Sequence, residues 1–225
     1  MIEYRGLWYP DGDLLTKNFK ARLETEPFYR SDRFHDAMAH VKSWRGAVEC
    51  GAHVGAWSRE LAKRFERVLA IELSGATLNC LRRNLESFAN AEVMQCALGA
   101  RPGFVAVGGH KGSMDGEVVE GGDYPAVPMR ALDELVQSAR LECVDYIKVH
   151  VNGYEMQVLL GAERTIRQHR PVMTVVIKKA LEKYGATPVQ VFEFMDGLGY
   201  RVLSRLKPYW VFGPSPEHRA PSHRR

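Results

Sequence analysis

Two glycines and two acidic residues are arranged in this sequence as in a binding site for a small organic ligand. Gly51 and Gly55 form a GxxxG pattern directly after an apolar run that predicts a strand. Glycines at a strand-to-helix turn let the backbone bend sharply and come close to a ligand at the N-terminus of the helix. Glu49 precedes this turn, and Glu72 ends the next apolar run. The two carboxylates therefore flank one predicted turn.

The kind of ligand follows from the spacing of the glycines. Dinucleotide sites use GxGxxG, a turn that holds a pyrophosphate. A turn with fewer glycines suits a ligand without a pyrophosphate, such as S-adenosylmethionine. Glu49 can pair with the ammonium group of its methionine part, and Glu72 stands where a carboxylate accepts hydrogen bonds from both ribose hydroxyls. The alternative is that the glycines only make a tight link and that Glu72 is a solvated strand end.

Alternating strands and helices are predicted to position these residues. Short apolar strands joined by helices of about ten residues are typical of a doubly wound, mostly parallel α/β sheet of the Rossmann-like class. The last two strands should be antiparallel, because the short connection through Pro208 cannot hold a crossover helix. The predicted strands are 46–50, 67–72, 92–98, 103–107, 143–151, 172–177, 200–204 and 209–213. The first predicted helix is capped by Ser31. The other predicted helices cover 55–65, 75–87, 131–138, 154–168 and 188–197.

The chain is expected to form one main domain over residues 46–214. Residues 1–45 are predicted as an irregular arm followed by a helix that packs on this core, and residues 215–225 as a basic, flexible tail. The segment 108–122 contains six glycines and predicts a mobile loop. As a loop from 108 to 123 it is either a lid over the substrate or a solvent-exposed hairpin.

Charge and composition exclude several classes of protein. The formal charge of +4 and the pI near 8.9 are mildly basic, and much of the excess lies in the tail, which either contacts nucleic acid phosphates or is simply solvated. No HExxH, GxSxG or paired Cys/His pattern occurs, so no metal is expected, and neither is a metalloprotease, zinc finger or serine hydrolase. The four cysteines should be reduced. Without a signal pattern or an apolar run of about 20 residues, we expect a cytoplasmic protein with no membrane partner.

Several blocks of sequence follow one another in the order typical of one protein family. The blocks are Ala47–Ser58, Val68–Glu72, Leu81–Leu85, Cys96–Gly99, Leu132–Asp133 and Ile147–Ala162. The last block has Lys148, Gly153, Glu155 and Gly161 in register. On these blocks the chain, from about Trp44 to Pro214, resembles the FkbM family of methyltransferases. The resemblance implies a class I methyltransferase fold, S-adenosylmethionine as cofactor, and O-methylation of a sugar or another small hydroxylated acceptor.

The resemblance is uneven at the carboxyl end of the predicted strand 143–151. The family pattern there reads K-[IV]-D-[VC]-E-G-x-E, whereas this chain has His150 in place of Asp and Asn152 in place of Glu. An acidic residue is common after the next apolar run, yet here Lys178 follows it. Glu49 in place of Asp keeps its carboxylate. The half of the site that binds the cofactor thus matches the family, and the half that receives the acceptor is altered.

These observations assign candidate roles to individual residues. The residues expected to bind the cofactor are Glu49, Gly51, Ala52, His53, Gly55, Glu72, Leu73 and Ala97. The candidate catalytic residues are Lys148, His150, Asn152 and Glu155. Because a neutral imidazole is available near pH 7, His150 can serve as the base that deprotonates a hydroxyl, while Asn152 orients the acceptor. Trp57 either touches the ligand or belongs to the core.

Two other functions remain open at this point. One is a protein that keeps the cofactor fold but has lost catalysis, with His150 as a partly buried structural histidine. The other is a nucleic-acid methyltransferase. Val151–Tyr154 contains the Asn and the aromatic residue of an Asn/Asp-Pro-Pro-aromatic turn but neither proline. The sequence does not indicate an oligomeric state.

Overall fold

The computed structural model of the chain describes residues 1–11, 20–109, 116–119 and 126–216. The strands are β1 (Ile2–Tyr4), β2 (Leu7–Tyr9), β3 (Gly46–Cys50), β4 (Arg67–Glu72), β5 (Ala91–Gln95), β6 (Ala97–Leu98), β7 (Gly103–Gly109), β8 (Gly116–Val119), β9 (Ala126–Arg130), β10 (Tyr146–Val149), β11 (Val172–Val176), β12 (Tyr200–Leu206) and β13 (Tyr209–Pro214). The α-helices are α1 (Ser31–Met38), α2 (Ala56–Ala62), α3 (Gly75–Leu85), α4 (Leu132–Ser138), α5 (Glu155–Leu160), α6 (Glu163–His169) and α7 (Pro188–Gly197), and a 3-10 helix covers Lys179–Tyr184.

The central sheet has the order β12-β13-β11-β10-β3-β4-β5. The five strands from β11 to β5 are parallel, and β13 is antiparallel to both of its neighbours. This confirms the predicted doubly wound, mostly parallel sheet with an antiparallel C-terminal pair. From β3 the chain continues outward to β4 and β5, and β10 and β11 lie on the other side of β3. The strand order therefore reverses between β3 and β10, which is where ligands bind in such sheets.

Burial of the central strands explains their near-continuous apolar sequence. Every residue of β3 and β10 is buried, as expected for parallel strands covered by helices on both faces. On one face, the apolar sides of α4 to α7 pack on Val48, Cys50, Ile147 and Val149. On the other face, α1 and α2 pack on Ala47 and Tyr146. This alternation turns the side chain of Glu49 in the same direction as that of Ala47.

A second, smaller sheet has the order β6-β9-β7-β8. The predicted strand 92–98 divides into β5 and β6, which belong to different sheets, and β9 was not predicted. The prediction of a mobile loop over 108–122 is wrong for residues 116–119, because they pair antiparallel with β7 as β8. Backbone pairing of this kind tolerates the glycines that suggested a loop. Residues 108 and 109 of the predicted loop belong to β7, and residues 110–115 and 120–122 lie outside the described residues.

The predicted irregular arm begins with a hairpin of β1 and β2. Its turn residues, Arg5 and Gly6, have φ values of 51° and 75°, as a two-residue hairpin turn requires. Helix α1 follows as predicted, but its cap position is Arg30, with φ 59°, and Ser31 is its first helical residue. The predicted tail lies outside the described residues from 217 onward. No helix in the described part of the chain is long and apolar enough to cross a membrane.

The single helix predicted over 154–168 is divided into α5 and α6 at Gly161. A β-carbon on Gly161 would lie 2.1 Å from the carbonyl oxygen of Gly99. The chain at Gly161 therefore approaches the backbone of Gly99 closely. The carboxylate of Asp133 accepts hydrogen bonds from the backbone N–H groups of Arg164 (3.1 Å) and Thr165 (2.7 Å). It thereby satisfies backbone donors at the start of α6.

Candidate functional site

A cavity of about 290 Å³ opens at the carboxyl ends of β3 and β10, at the point where strand order reverses. It is lined by Tyr29, Glu49, Gly51, Ala52, His53, Ala56, Trp57, Ile71, Glu72, Leu73, Cys96, Ala97, Leu98, Lys148, His150, Val151, Asn152, Tyr154, Lys178 and Tyr209. Its size is near the lower end of the range for small-molecule sites. Ten of the twelve predicted site residues are in this set; Gly55 and Glu155 are not.

The turn after β3 passes close to the backbone that follows β10, and glycine permits this approach. Gly51 has φ 80°, and a β-carbon there would lie 1.9 Å from the carbonyl oxygen of His150, so only glycine fits. The N–H groups of Gly51 and Ala52 donate to the carbonyl of Ile71 at 3.0 and 2.9 Å. Gly55, with φ 86°, faces Leu81 in the core. Its role is therefore to make the turn before α2.

Glu72 lies at one end of the cavity, buried and held in one orientation. One carboxylate oxygen accepts the backbone N–H of His53 at 2.7 Å, and the other accepts that of Ser74 at 2.8 Å. A carboxylate oxygen can accept more than one hydrogen bond. Glu72 can therefore accept further hydrogen bonds from a ligand hydroxyl while it holds the turn after β3 against the start of α3.

Glu49 and Lys148 form a buried ion pair between the two central strands. The ammonium of Lys148 donates to one oxygen of Glu49 at 2.5 Å, and the hydroxyl of Ser58 donates to the other at 2.5 Å. The Lys148 Nζ also lies 5.0 Å from the centre of the Trp57 ring. The sequence predicted that Glu49 pairs with a ligand ammonium; within the chain, its cationic partner is Lys148. Lys148 therefore lines the cavity with its Nζ bound to Glu49.

His150 lies at the other end of the cavity from Glu72, beyond β10. Its backbone N–H donates to Cys50 O at 3.0 Å, and its ring meets Tyr209 edge to face, with centroids 5.7 Å apart. Burial lowers the pKa of His150 well below its ordinary value, and the charges of Lys148 and Lys178 lower the pKa further. The imidazole is therefore neutral near pH 7 and can accept a proton.

Asn152 and Glu155 belong to the loop that leads from β10 into α5. Asn152 lines the cavity and has φ 56°, a left-handed conformation that Asn tolerates better than most residues. Glu155 is buried, and its carboxylate accepts the backbone N–H of Val151 at 3.0 Å. Burial raises the pKa of Glu155. Instead of facing the cavity, Glu155 holds the loop that carries Asn152.

Aromatic residues from three distant parts of the chain close the cavity. Tyr29 comes from the segment before α1, Trp57 from α2 and Tyr209 from β13, and the indole N–H of Trp57 donates to Tyr29 O at 3.0 Å. Trp57 is also buried in the core, so its two predicted roles coexist. Sequence reasoning missed Tyr29 and Tyr209, because no local pattern connects them to the turn after β3. The remaining unpredicted residues of the lining are Ala56, Ile71, Cys96, Leu98, Val151, Tyr154 and Lys178.

Comparison with known proteins identifies the family of the chain. The family model described as the methyltransferase FkbM domain matches residues 49–202. The chain belongs to the FkbM methyltransferase family. The matched range begins at Glu49 and includes the whole lining of the cavity except Tyr29 and Tyr209. Nowhere in the described residues do three or more His, Cys, Asp or Glu side chains group as a metal ion would require.

Solved structures share the fold at low sequence identity. The FkbM methyltransferase of Methylobacillus flagellatus KT is 18% identical, with a TM-score of 0.58 over 78% of this chain and 45% of that chain. The precorrin-8w decarboxylase of Methanobacterium thermoautotrophicum is 15% identical, with a TM-score of 0.52 over 95% of this chain and 99% of that chain. The chain thus spans less than half of the first protein. No curated protein matches the chain in sequence.

Proposed function

We propose that this protein binds S-adenosylmethionine and transfers its methyl group to a hydroxyl group of a sugar or another small acceptor. The observation that carries the proposal is the shared cavity, with the fixed carboxylate of Glu72 at one end and the neutral imidazole of His150 at the other. The first suits the ribose of the cofactor, and the second suits an acceptor hydroxyl. Membership of the FkbM family supports methyl transfer as the reaction.

The chain offers complementary groups for each part of the cofactor. Glu72 would accept hydrogen bonds from the ribose hydroxyls, and the apolar side chains of Leu73, Ala97 and Leu98 surround the same end of the cavity. The ion pair of Glu49 and Lys148 complements an amino-acid group, since Glu49 would attract its ammonium and Lys148 its carboxylate. Bound S-adenosylmethionine supplies a methyl group on a positively charged sulfur.

The acceptor end of the cavity would align a hydroxyl and remove its proton. Methyl transfer is an in-line displacement, so catalysis depends on positioning the acceptor and excluding water. Tyr29, Trp57 and Tyr209 line the cavity, and the apolar face of a sugar ring or of another small acceptor can pack on their rings. Asn152 would hold the acceptor, and His150 would take the hydroxyl proton. Glu155 acts indirectly by holding the loop of Asn152.

Calorimetry with S-adenosylhomocysteine tests the cofactor site. We expect the wild type to bind and Glu72→Gln to weaken binding by about tenfold or more, since charge-assisted hydrogen bonds to the ribose are lost. Gln keeps one oxygen to accept a backbone N–H group, so the fold should persist. The matched control is Glu92→Gln, because Glu92 lies on the strand next to Glu72 but does not line the cavity. Absence of binding by the wild type would overturn the proposal.

A protein that binds the cofactor without catalysis is the second candidate. It is favoured by one observation, the presence of His150 and Asn152 where the family pattern has two carboxylates. Incubation with labelled S-adenosylmethionine and a panel of hydroxylated acceptors separates the two. Formation of S-adenosylhomocysteine that depends on acceptor and is abolished in His150→Ala supports the enzyme. Cofactor binding without turnover across the panel supports the second candidate. A nucleic-acid acceptor has no support in the described residues, and the basic tail lies outside them from residue 217.

A further inference from the structure

Positive charges gather around the imidazole of His150. The Lys178 Nζ lies 3.5 Å from the His150 Nε2, and both residues line the cavity. The guanidinium groups of Arg30 and Arg33 lie over the Tyr209 ring at 5.8 and 5.5 Å from its centroid. The His150 ring lies edge to face with this same ring. The acceptor end of the cavity therefore presents the ammonium group of Lys178 beside His150.

Acidic side chains also lie near these cations. Glu49 pairs with Lys148, and the buried Glu155, whose carboxylate accepts the N–H of Val151, interacts electrostatically with Lys178. Asp32 pairs with Arg33 at 2.6 Å. The charged and titratable groups that act on His150 are Lys148 in β10, Lys178 after β11, His53 in the turn after β3 and Arg30 before α1. Tyr209 in β13 contacts the His150 ring, Glu49 in β3 pairs with Lys148, and Glu155 in α5 interacts with Lys178.

The proposed reaction would add one more positive charge at this place. When the acceptor oxygen forms its bond to the methyl carbon, the carbon–sulfur bond breaks and its electron pair stays on sulfur. The hydroxyl proton then passes to the unprotonated nitrogen of His150. The product imidazolium lies among Lys148, Lys178 and Arg30, each of which disfavours it. A negative charge supplied from outside the chain would offset this repulsion.

We propose that the acceptor is an anion, a hydroxylated compound whose carboxylate or phosphate group contacts Lys178 while its hydroxyl faces His150. This inference rests on the proposed methyl transfer and adds the substrate class. The anion binds to Lys178 in the ground state and stabilises the imidazolium as the proton arrives. A neutral hydroxyl compound of the same shape offers neither effect. Acceptor charge thus selects the substrate and also activates the base.

Nuclear magnetic resonance of histidine-labelled protein tests this inference, with S-adenosylhomocysteine present at saturation. The signal of His150 is assigned by its loss in His150→Gln, and its pKa is measured with increasing inorganic phosphate or acetate at constant ionic strength. We expect either anion to raise the pKa of His150 saturably, by about half a unit or more. The two anions show whether phosphate or carboxylate is preferred.

Two variants decide whether Lys178 is the anion contact. Lys178→Gln should raise the pKa of His150 before any anion is added and weaken the apparent affinity for phosphate by about fivefold or more. Lys179→Gln removes the same charge one residue away, outside the lining of the cavity, and should leave the affinity within about twofold. An unchanged His150 pKa in the wild type, or equal losses in both variants, overturns the inference.

The outcomes also separate this inference from the proposed function. Binding of S-adenosylhomocysteine is measured first, by calorimetry on the same protein. If it does not bind, the proposed function fails. If S-adenosylhomocysteine binds and neither anion changes the pKa of His150, only the inference of an anionic acceptor is overturned. The proposed function then stands with a neutral acceptor.

Discussion

At the scale of single residues, the ion pair of Glu49 and Lys148 is almost fully removed from water, with side chains 1% and 8% exposed. Removing one partner of such a pair leaves an uncompensated buried charge. We expect Lys148→Met to lower the free energy of unfolding by about 3–5 kcal/mol, measured by urea denaturation. Adding Glu49→Gln in the same chain should recover part of this loss, because the remaining charge disappears.

The control for this prediction is an exposed pair of similar length. Arg167 and Glu163 lie 2.8 Å apart on α6, with side chains 56% and 42% exposed. Because water screens such pairs, Arg167→Met should change the free energy of unfolding by only about 0–1 kcal/mol. Equal effects of Lys148→Met and Arg167→Met would show that the buried pair is not held as described.

The pKa of His150 also predicts how the stability of the protein depends on pH. Burial, with the charges of Lys148 and Lys178, lowers the pKa of His150 well below its ordinary value. Its unfolded form therefore binds more protons than its folded form as the pH falls below about 6.5. This contribution to stability is complete above that value and is lost as the pH approaches the folded pKa.

The measurement compares the free energy of unfolding of the wild type with that of His150→Gln. We expect the wild type to lose stability relative to the variant between about pH 8 and about pH 5. The same substitution at the exposed His35 serves as the control. A difference between the wild type and His150→Gln that stays constant over this range would contradict a partly buried histidine with a lowered pKa.

Residues of the site differ in how well sequence could predict them. Glu49, Gly51, Glu72 and His150 lie at the carboxyl ends of strands or directly after them, and the topology of a doubly wound sheet brings those ends together. Gly55 belongs to the same motif, but its α-carbon faces Leu81 and not the cavity. Motif spacing thus located the right turn and strand ends without indicating the direction of each side chain.

At the scale of elements, the central sheet could be predicted because its strands are short apolar runs, whereas its helices have apolar residues at helical spacing. The smaller sheet was missed because β6 has two residues and β8 lies in a glycine-rich segment. Sequence periodicity needs a longer run to be visible. The division between α5 and α6 was missed because Gly161, where it occurs, contacts Gly99, and local periodicity does not show a contact with so remote a segment.

The loop of Asn152 is fitted against the 3-10 helix, and Gly153 makes the fit possible. Gly153 has φ 106°, and a β-carbon on it would lie 2.4 Å from the carbonyl oxygen of Ala180. Gly185 has a similar positive φ of 72° with no atom within 4 Å. Alanine is strained at both of these positive φ values, but only at position 153 would its β-carbon also meet a backbone atom.

We therefore expect Gly153→Ala to destabilise the protein by about 2–4 kcal/mol and Gly185→Ala by about 1 kcal/mol, since the second change carries only backbone strain. Chemical denaturation gives both values. Gly153→Ala should in addition weaken activity more than its stability loss explains, because it displaces Asn152. Equal destabilisation by the two variants would show that the loop is not held against the 3-10 helix.

At the scale of the whole molecule, the cavity depends on segments beyond the family match. Tyr29 and Tyr209 lie outside residues 49–202, yet both line the cavity.

The N-terminal hairpin is joined to the core by Asn84. The Asn84 side chain accepts the N–H of Trp8 at 2.7 Å and donates to the carbonyls of Trp8 (2.9 Å) and Val54 (2.7 Å). One buried amide thus connects the hairpin, the turn before α2 and helix α3.

Asn84→Ala should release this connection and leave three backbone groups without their partner. We expect a loss of about 2–4 kcal/mol in the free energy of unfolding, together with faster hydrogen exchange of the Trp8 amide in native conditions. Asn90→Ala is the matched control, because Asn90 donates to the carbonyls of Ala62 (2.9 Å) and Phe65 (2.8 Å) and none of these residues belongs to the hairpin. It should destabilise the core while the Trp8 amide exchanges as in the wild type at equal stability. If both variants accelerate exchange at Trp8 equally, the hairpin is not held by Asn84 but opens only with the whole molecule.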